Sequence, residues 1–102
     1  MISILLAAYN GEKYITEQID SILSQTYQDF TLYIQDDKST DSTYKIISEY
    51  AQRFPQKVVV SQNEENVGGS KFNFLQMMMK YQSTFNSDHW LTRIREILKT
   101  HI

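Results

Sequence analysis

Two aspartates stand side by side at Asp36-Asp37, directly after the apolar run Phe30 to Gln35 and just before Ser39, Thr40 and Asp41. Adjacent negative charges repel, so a fold gains nothing by pairing them unless they are used. Such a pair could accept hydrogen bonds from a nucleobase or a ribose, or hold a hard cation. Equally, one carboxylate could cap the following helix while the other faces water, since acidic side chains favour helix N-termini. Tyr9, at the end of another apolar run, could stack on a flat ring or simply rim the core. Asn66-x-Gly68-Gly69 could bring backbone amides close to a phosphate at a helix start, or be an ordinary turn. Neither a Walker-type loop nor a G-x-G-x-x-G accompanies it. His89 and His101 have no second ligand at metal spacing and read as surface residues. The serines lack a His-Asp arrangement to activate them, so nothing points to nucleophilic catalysis.

The elements that must position these residues follow from hydrophobic periodicity. Ile2 to Ala8 is short and almost continuously apolar, as a strand buried on both faces would be. Asn10 is a plausible N-cap for a first helix whose inner face is Ile15, Ile19, Ile22 and Leu23. Phe30 to Gln35 reads as a second strand. A second helix, with cap candidates Ser39, Thr40 and Asp41, would bury Tyr44, Ile47, Ala51 and Phe54 before Pro55. Val58 to Val60 is a third strand. A third helix would bury Phe72, Leu75, Met78 and Met79, with the Met77-Met78-Met79 run mostly filling core. Trp90, Leu91, Ile94, Ile97 and Leu98 mark a fourth, amphipathic helix. Strands alternating with helices predict an α/β fold with right-handed crossovers and a parallel sheet. Ligands of such sheets bind beyond the carboxyl ends of the strands. Tyr9-Asn10, Asp36 to Ser39 and Asn63 to Ser70 all fall at that edge.

Composition narrows the partners. With 102 residues there is room for one domain and one core. A net charge of -2 gives no basic stripe, so no nucleic-acid partner is expected. Without cysteine, disulfides and thiolate metal sites are excluded. No apolar run approaches the roughly 20 residues of a membrane-spanning helix, and the start lacks the positive flank of a signal peptide. The expectation is a cytoplasmic protein without a transmembrane segment, with peripheral membrane association left open.

Together the three loops are more specific than any one of them. The stretch "ISILLAAYNGEKYITEQIDSILSQTYQDFTLYIQDDKSTDST" resembles the start of the family 2 glycosyltransferases, inverting enzymes of the GT-A nucleotide-sugar fold. The marks are Ala8-Tyr9-Asn10, the run Ser21 to Thr26, Asp36-Asp37-x-Ser39-Thr40-Asp41, and "NEENVGGSKFNF". Lys71 followed by Phe72-Asn73-Phe74 is most similar to the bacterial rhamnosyltransferase-like branch that builds polysaccharides. The resemblance implies a three-layer, mostly parallel sheet with helices on both faces, residues 1–81 being the βαβαβα half that holds a nucleotide-diphosphate sugar. Carried over by position, Ala7 and Tyr9 would line the base pocket. Asp37 would accept the base's ring N–H, with Asp36 supporting the loop or the ribose. Asn66 and Gly68 would belong to the nucleotide-sugar loop, and Lys71 would approach the diphosphate. The donor would be UDP- or dTDP-linked, and Mn or Mg is expected for the family.

The resemblance also has a gap. The family continues into a fourth strand ending in a metal-binding Asp-x-Asp, whereas this chain runs Tyr81 to Trp90 with no apolar strand and no such motif. "DHWLTRIREIL" resembles what usually follows the motif. The expectation is therefore a deletion, with Asp88 as a stranded metal-site remnant and residues 82–102 as a C-terminal amphipathic helix; the alternative is a coincidental likeness, since any amphipathic helix can carry Trp-Leu. Such a chain would be a donor-binding part without transferase activity, or alternatively a non-catalytic interaction domain. Losing the fourth strand would expose the first strand as an edge and favour a homo-oligomer. A receiver-like signalling domain is disfavoured, because its acidic pair would follow the first strand.

Overall fold

The three apolar runs become three strands, β1 (Ile2–Ala8), β2 (Phe30–Asp36) and β3 (Val58–Gln62), joined by α1 (Ile15–Leu23) and α2 (Thr43–Arg53) and followed by α3 (Ser70–Tyr81). The computed structural model describes residues 2–68 and 70–81. The expected C-terminal helix and Asp88 lie outside the described residues. The strands form one parallel sheet in the order β1-β2-β3. Ile2 sits opposite Phe30 and Ala8 opposite Asp36, while Leu32 sits opposite Val58. Two right-handed crossovers in the same direction put α1 and α2 on one face, packed against each other, and α3 covers β1 and β2 from the other.

This layering explains why β1 and β2 read as nearly unbroken apolar runs. Both faces are covered, so Leu5, Leu6, Leu32 and Ile34 meet Ile19 from α1, Ile47 from α2 and Met77 from α3, all at 2% exposure or less. Each such side chain contributes about 1.5–3 kcal/mol relative to exposure.

Three local expectations change. Asn10 does not cap α1. It adopts a left-handed φ of 47°, and the helix begins at Ile15 after a turn in which Tyr14 and Ile15 both donate to the Gly11 carbonyl. On α2 the buried residues are Thr43, Ile47 and Tyr50, while Tyr44 is 37% exposed. On α3 the helix is rotated from the apolar face expected. Asn73, Phe74 and Met77 are buried, whereas Phe72, Leu75 and Met79 are exposed. The rotation follows from a polar requirement: the Asn73 side chain reaches the β2 backbone, donating to the Gln35 carbonyl at 2.7 Å. It is the Asn73 amide that needs such partners, because a buried polar side chain left unpaired costs about 1–3 kcal/mol.

Candidate functional site

At the carboxyl edge of the sheet the backbone ladder runs past the strand ends. The Asp37 N–H donates to the Ala8 carbonyl at 2.8 Å, and the Asn63 N–H to the Asp36 carbonyl at 2.8 Å. The residues that follow β1, β2 and β3 therefore leave the sheet side by side, and the three predicted loops meet.

Asp36 and Asp37 are both fully buried. Neither carboxylate faces solvent, and neither caps the next helix. Asp36 Oδ2 accepts the Ser39 N–H at 2.8 Å and the Gln62 side-chain amide at 3.0 Å, and Oδ1 accepts the Ser39 hydroxyl at 2.5 Å. Those donors fold the chain back just after Lys38, whose φ of 60° makes the reversal. Asp37 Oδ1 accepts the Asn63 side-chain amide at 2.8 Å and the Val67 N–H at 2.7 Å. The Asp37 carbonyl accepts from Asn66 Nδ2 at 3.0 Å. Like charges can stand together here because each is surrounded by N–H and O–H donors aimed at it.

The loop after β1 is sewn to the loop after β2. The Asn10 N–H donates to the Ser39 hydroxyl at 2.9 Å, while Asn10 Oδ1 accepts the Thr40 N–H at 2.8 Å. The Gly11 N–H donates to the Thr43 hydroxyl at 2.8 Å. Glu12 and Asp41 clasp reciprocally, the Glu12 N–H donating to Asp41 Oδ2 at 3.3 Å and the Ser42 N–H to Glu12 Oε2 at 3.0 Å. The loop after β3 turns at Gly68, with a φ of 101°, and the Gly68 N–H donates to Asn66 Oδ1 at 2.8 Å.

The structure thus brings Ala7, Tyr9, Asp36, Asp37, Asn66 and Gly68 to one edge. Ala7 is buried in the core, whereas Tyr9 presents 41% of its surface and Asn66 and Gly68 are exposed. Lys71 lies in the first turn of α3. Sequence reasoning missed the polar layer beneath this edge: Gln35, Asn63 and Asn73 are all nearly or fully buried. Their signal was present as the polar run Ser61-Gln62-Asn63 ending an apolar strand and as the asparagine inside Phe72-Asn73-Phe74.

As a cation site the acidic pair fits poorly. The donors around both carboxylates occupy positions a cation would need, and among the described residues no three His, Cys, Asp or Glu side chains gather as a metal-ligand set. The arrangement suits recognition instead: a ring-bearing side chain and a deep hydrogen-bond acceptor lie beside a glycine turn.

A family model described as glycosyl transferase family 2 matches residues 3–92. The putative glycosyltransferase EpsE of Bacillus subtilis is 38% identical over 65 residues, which is 64% of this chain and 23% of that protein. The dTDP-rhamnosyl transferase RfbG of Shigella flexneri is 36% identical over 73 residues, 72% of this chain and 25% of that protein. The crystal structure of S. aureus TarS 1-349 superposes with a TM-score of 0.62 at 38% identity, covering 71% of this chain and 21% of that one. The chain therefore spans about a quarter of the length of these relatives.

Proposed function

The chain belongs to glycosyl transferase family 2, and from that premise we propose that the carboxyl edge of its sheet binds the nucleotide of an activated sugar for glycan synthesis. In this reading Tyr9 offers its exposed ring to a pyrimidine base, and Asp37 accepts the base's imide N–H. Asp36 braces the turn between them through Ser39 and Gln62. Asn66 and Gly68 shape the loop on the far side, and Lys71, in the first turn of α3, would approach the diphosphate. The observation that carries the reading is the position of Asp37: one carboxylate held at the floor where all three loops meet. Because Asp37 is fully buried, a base reaches it as the covering residues 64–68 yield, while Asn63 stays tied to the end of β2. A uridine or thymidine diphosphate sugar presents the matching donor.

The family generally uses a divalent metal. The Asp36-Asp37 pair does not fit that role, so no step of the proposal runs through a metal here. The activity proposed for the described residues is binding of the donor nucleotide. Among the described residues no helix is long and apolar enough to cross a membrane.

Calorimetric titration with UDP, UDP-glucose and dTDP-rhamnose, with and without Mn, tests this. UDP binding is expected without metal, and Asp37→Asn should weaken it by roughly 10- to 100-fold, the scale of one hydrogen bond to a charged acceptor. Equal binding by wild type and D37N would reject the role of Asp37.

A second reading rests on a separate observation. Among the described strands β1 pairs with β2 alone, while five of its seven residues are buried. A long apolar edge of that kind is a template for pairing. We propose that it joins a second copy of this chain, so that the nucleotide-binding edge is presented by an oligomer.

A further inference from the structure

The buried polar layer beneath the acidic pair has a direction, and that direction is dictated from the backbone. Asn73 Nδ2 faces the Gln35 carbonyl at 2.7 Å. A backbone carbonyl only accepts, so the amide of Asn73 must point its nitrogen there and its oxygen the other way. That oxygen faces Asn63 Nδ2 at 2.9 Å. Asn63 is oriented in turn: its nitrogen faces Asn73 and Asp37 Oδ1 at 2.8 Å, and its oxygen accepts the Gln35 side-chain amide at 2.5 Å. Gln35 completes the layer, with its own oxygen accepting the Ser61 hydroxyl. Every amide in the chain has one orientation that satisfies its neighbours, and reversing any one would set two donors or two acceptors face to face. Asn73 is fully buried, Gln35 is 5% exposed and Asn63 6%, so water cannot repair such a reversal.

We propose that Asn63, oriented by Asn73, is the positioning residue that fixes Asp37 as an acceptor-only reader of the base, and so makes the pocket select uracil or thymine over cytosine. The inference rests on the reading of Asp37 as the base contact. The chemistry of discrimination is simple. Uracil and thymine carry a hydrogen on the ring nitrogen between their two carbonyls; cytosine has a bare lone pair there. A carboxylate whose Oδ1 stays held by the Asn63 amide when the loop beyond it yields keeps its plane fixed and presents oxygen lone pairs, which attract the imide N–H and repel the cytosine nitrogen. A carboxylate free to turn or to share a proton would discriminate less. Leaving a buried polar group unpaired is what gives such sites their selectivity. α3 therefore acts on base choice from a distance, through a side chain that touches no ligand.

The test compares UDP with CDP by calorimetry on the whole chain. N63D replaces a donor facing Asp37 by an acceptor, and N73L removes the residue that orients Asn63. Wild type should prefer UDP, and both variants should lose that preference by roughly tenfold or more, the size of one hydrogen bond to a charged group. A purely structural role would lower the unfolding midpoint and leave the UDP-to-CDP ratio intact, which would overturn the proposal. D37N separates this failure from that of the underlying reading. If D37N loses UDP while N63D and N73L keep their selectivity, the positioning role is wrong and the base contact stands. If wild type does not distinguish UDP from CDP, both are wrong. Should the variants not fold, the wild-type protein still decides: the Asn63 side-chain amide protons are expected to shift in NMR spectra on adding UDP and not CDP. The same response to both nucleotides, or to neither, would overturn the proposal.

Discussion

Asp41 Oδ1 accepts both the Thr43 N–H at 2.9 Å and the Thr43 hydroxyl, and its Oδ2 accepts the Glu12 N–H, so this one carboxylate joins the start of α2 to the loop after β1. Partial burial pushes its pKa up, but the donors from Thr43 and Glu12 outweigh that and hold it below the usual 3.8. A carboxylate depressed in the folded state stabilises fully above its unfolded value, and that contribution fades as pH falls through the folded one. Asp41→Asn should therefore cost about 0.5–1 kcal/mol at neutral pH, the scale of a partly exposed hydrogen bond. The gap to wild type should narrow below about pH 4, as unfolding midpoints measured across pH would show. The neighbouring carboxylates differ in kind: Asp36 is consumed by its own turn, whereas Asp37 is held by the loop from β3.

The turn after β2 contains a strain that a single substitution can release. Lys38 sits at a φ of 60°, a left-handed conformation that costs a residue with a Cβ about 1–2 kcal/mol. Its side chain is exposed and no loop hydrogen bond depends on it. Lys38→Gly is expected to raise stability by about 0.5–1 kcal/mol, net of the extra freedom glycine gives the unfolded chain. Denaturant midpoints would check the sign. At this scale the strands and the meeting of the three loops were legible in the sequence, because parallel βα units announce both through apolar runs and polar strand ends. The partner of Asn10 was not, since Thr40 lies 30 residues away and no local pattern points to it. Nor was the inner face of α3. Counting apolar residues chose Phe72, Leu75, Met78 and Met79, yet Asn73 turns inward to bond the Gln35 carbonyl and Asn63, Met78 is part-buried, and Phe72, Leu75 and Met79 face outward.

Among the described residues β1 pairs on one side alone, and Phe72, Leu75 and Met79 are exposed along α3. Apolar surface of this kind commonly marks an interface. Sedimentation equilibrium at micromolar concentration is expected to show a dimer or larger species, and a strictly monomeric profile would remove the edge-pairing proposal. The order of the sheet has one more consequence. Because β1, β2 and β3 lie side by side in the order they occur in the chain, each new strand finds its partner about 26 to 28 residues back. Each addition closes a loop of similar, modest length, so no step carries a much larger entropic cost than the last. On a ribosome the sheet can grow one strand at a time as the chain emerges, the binding edge taking shape in step with it.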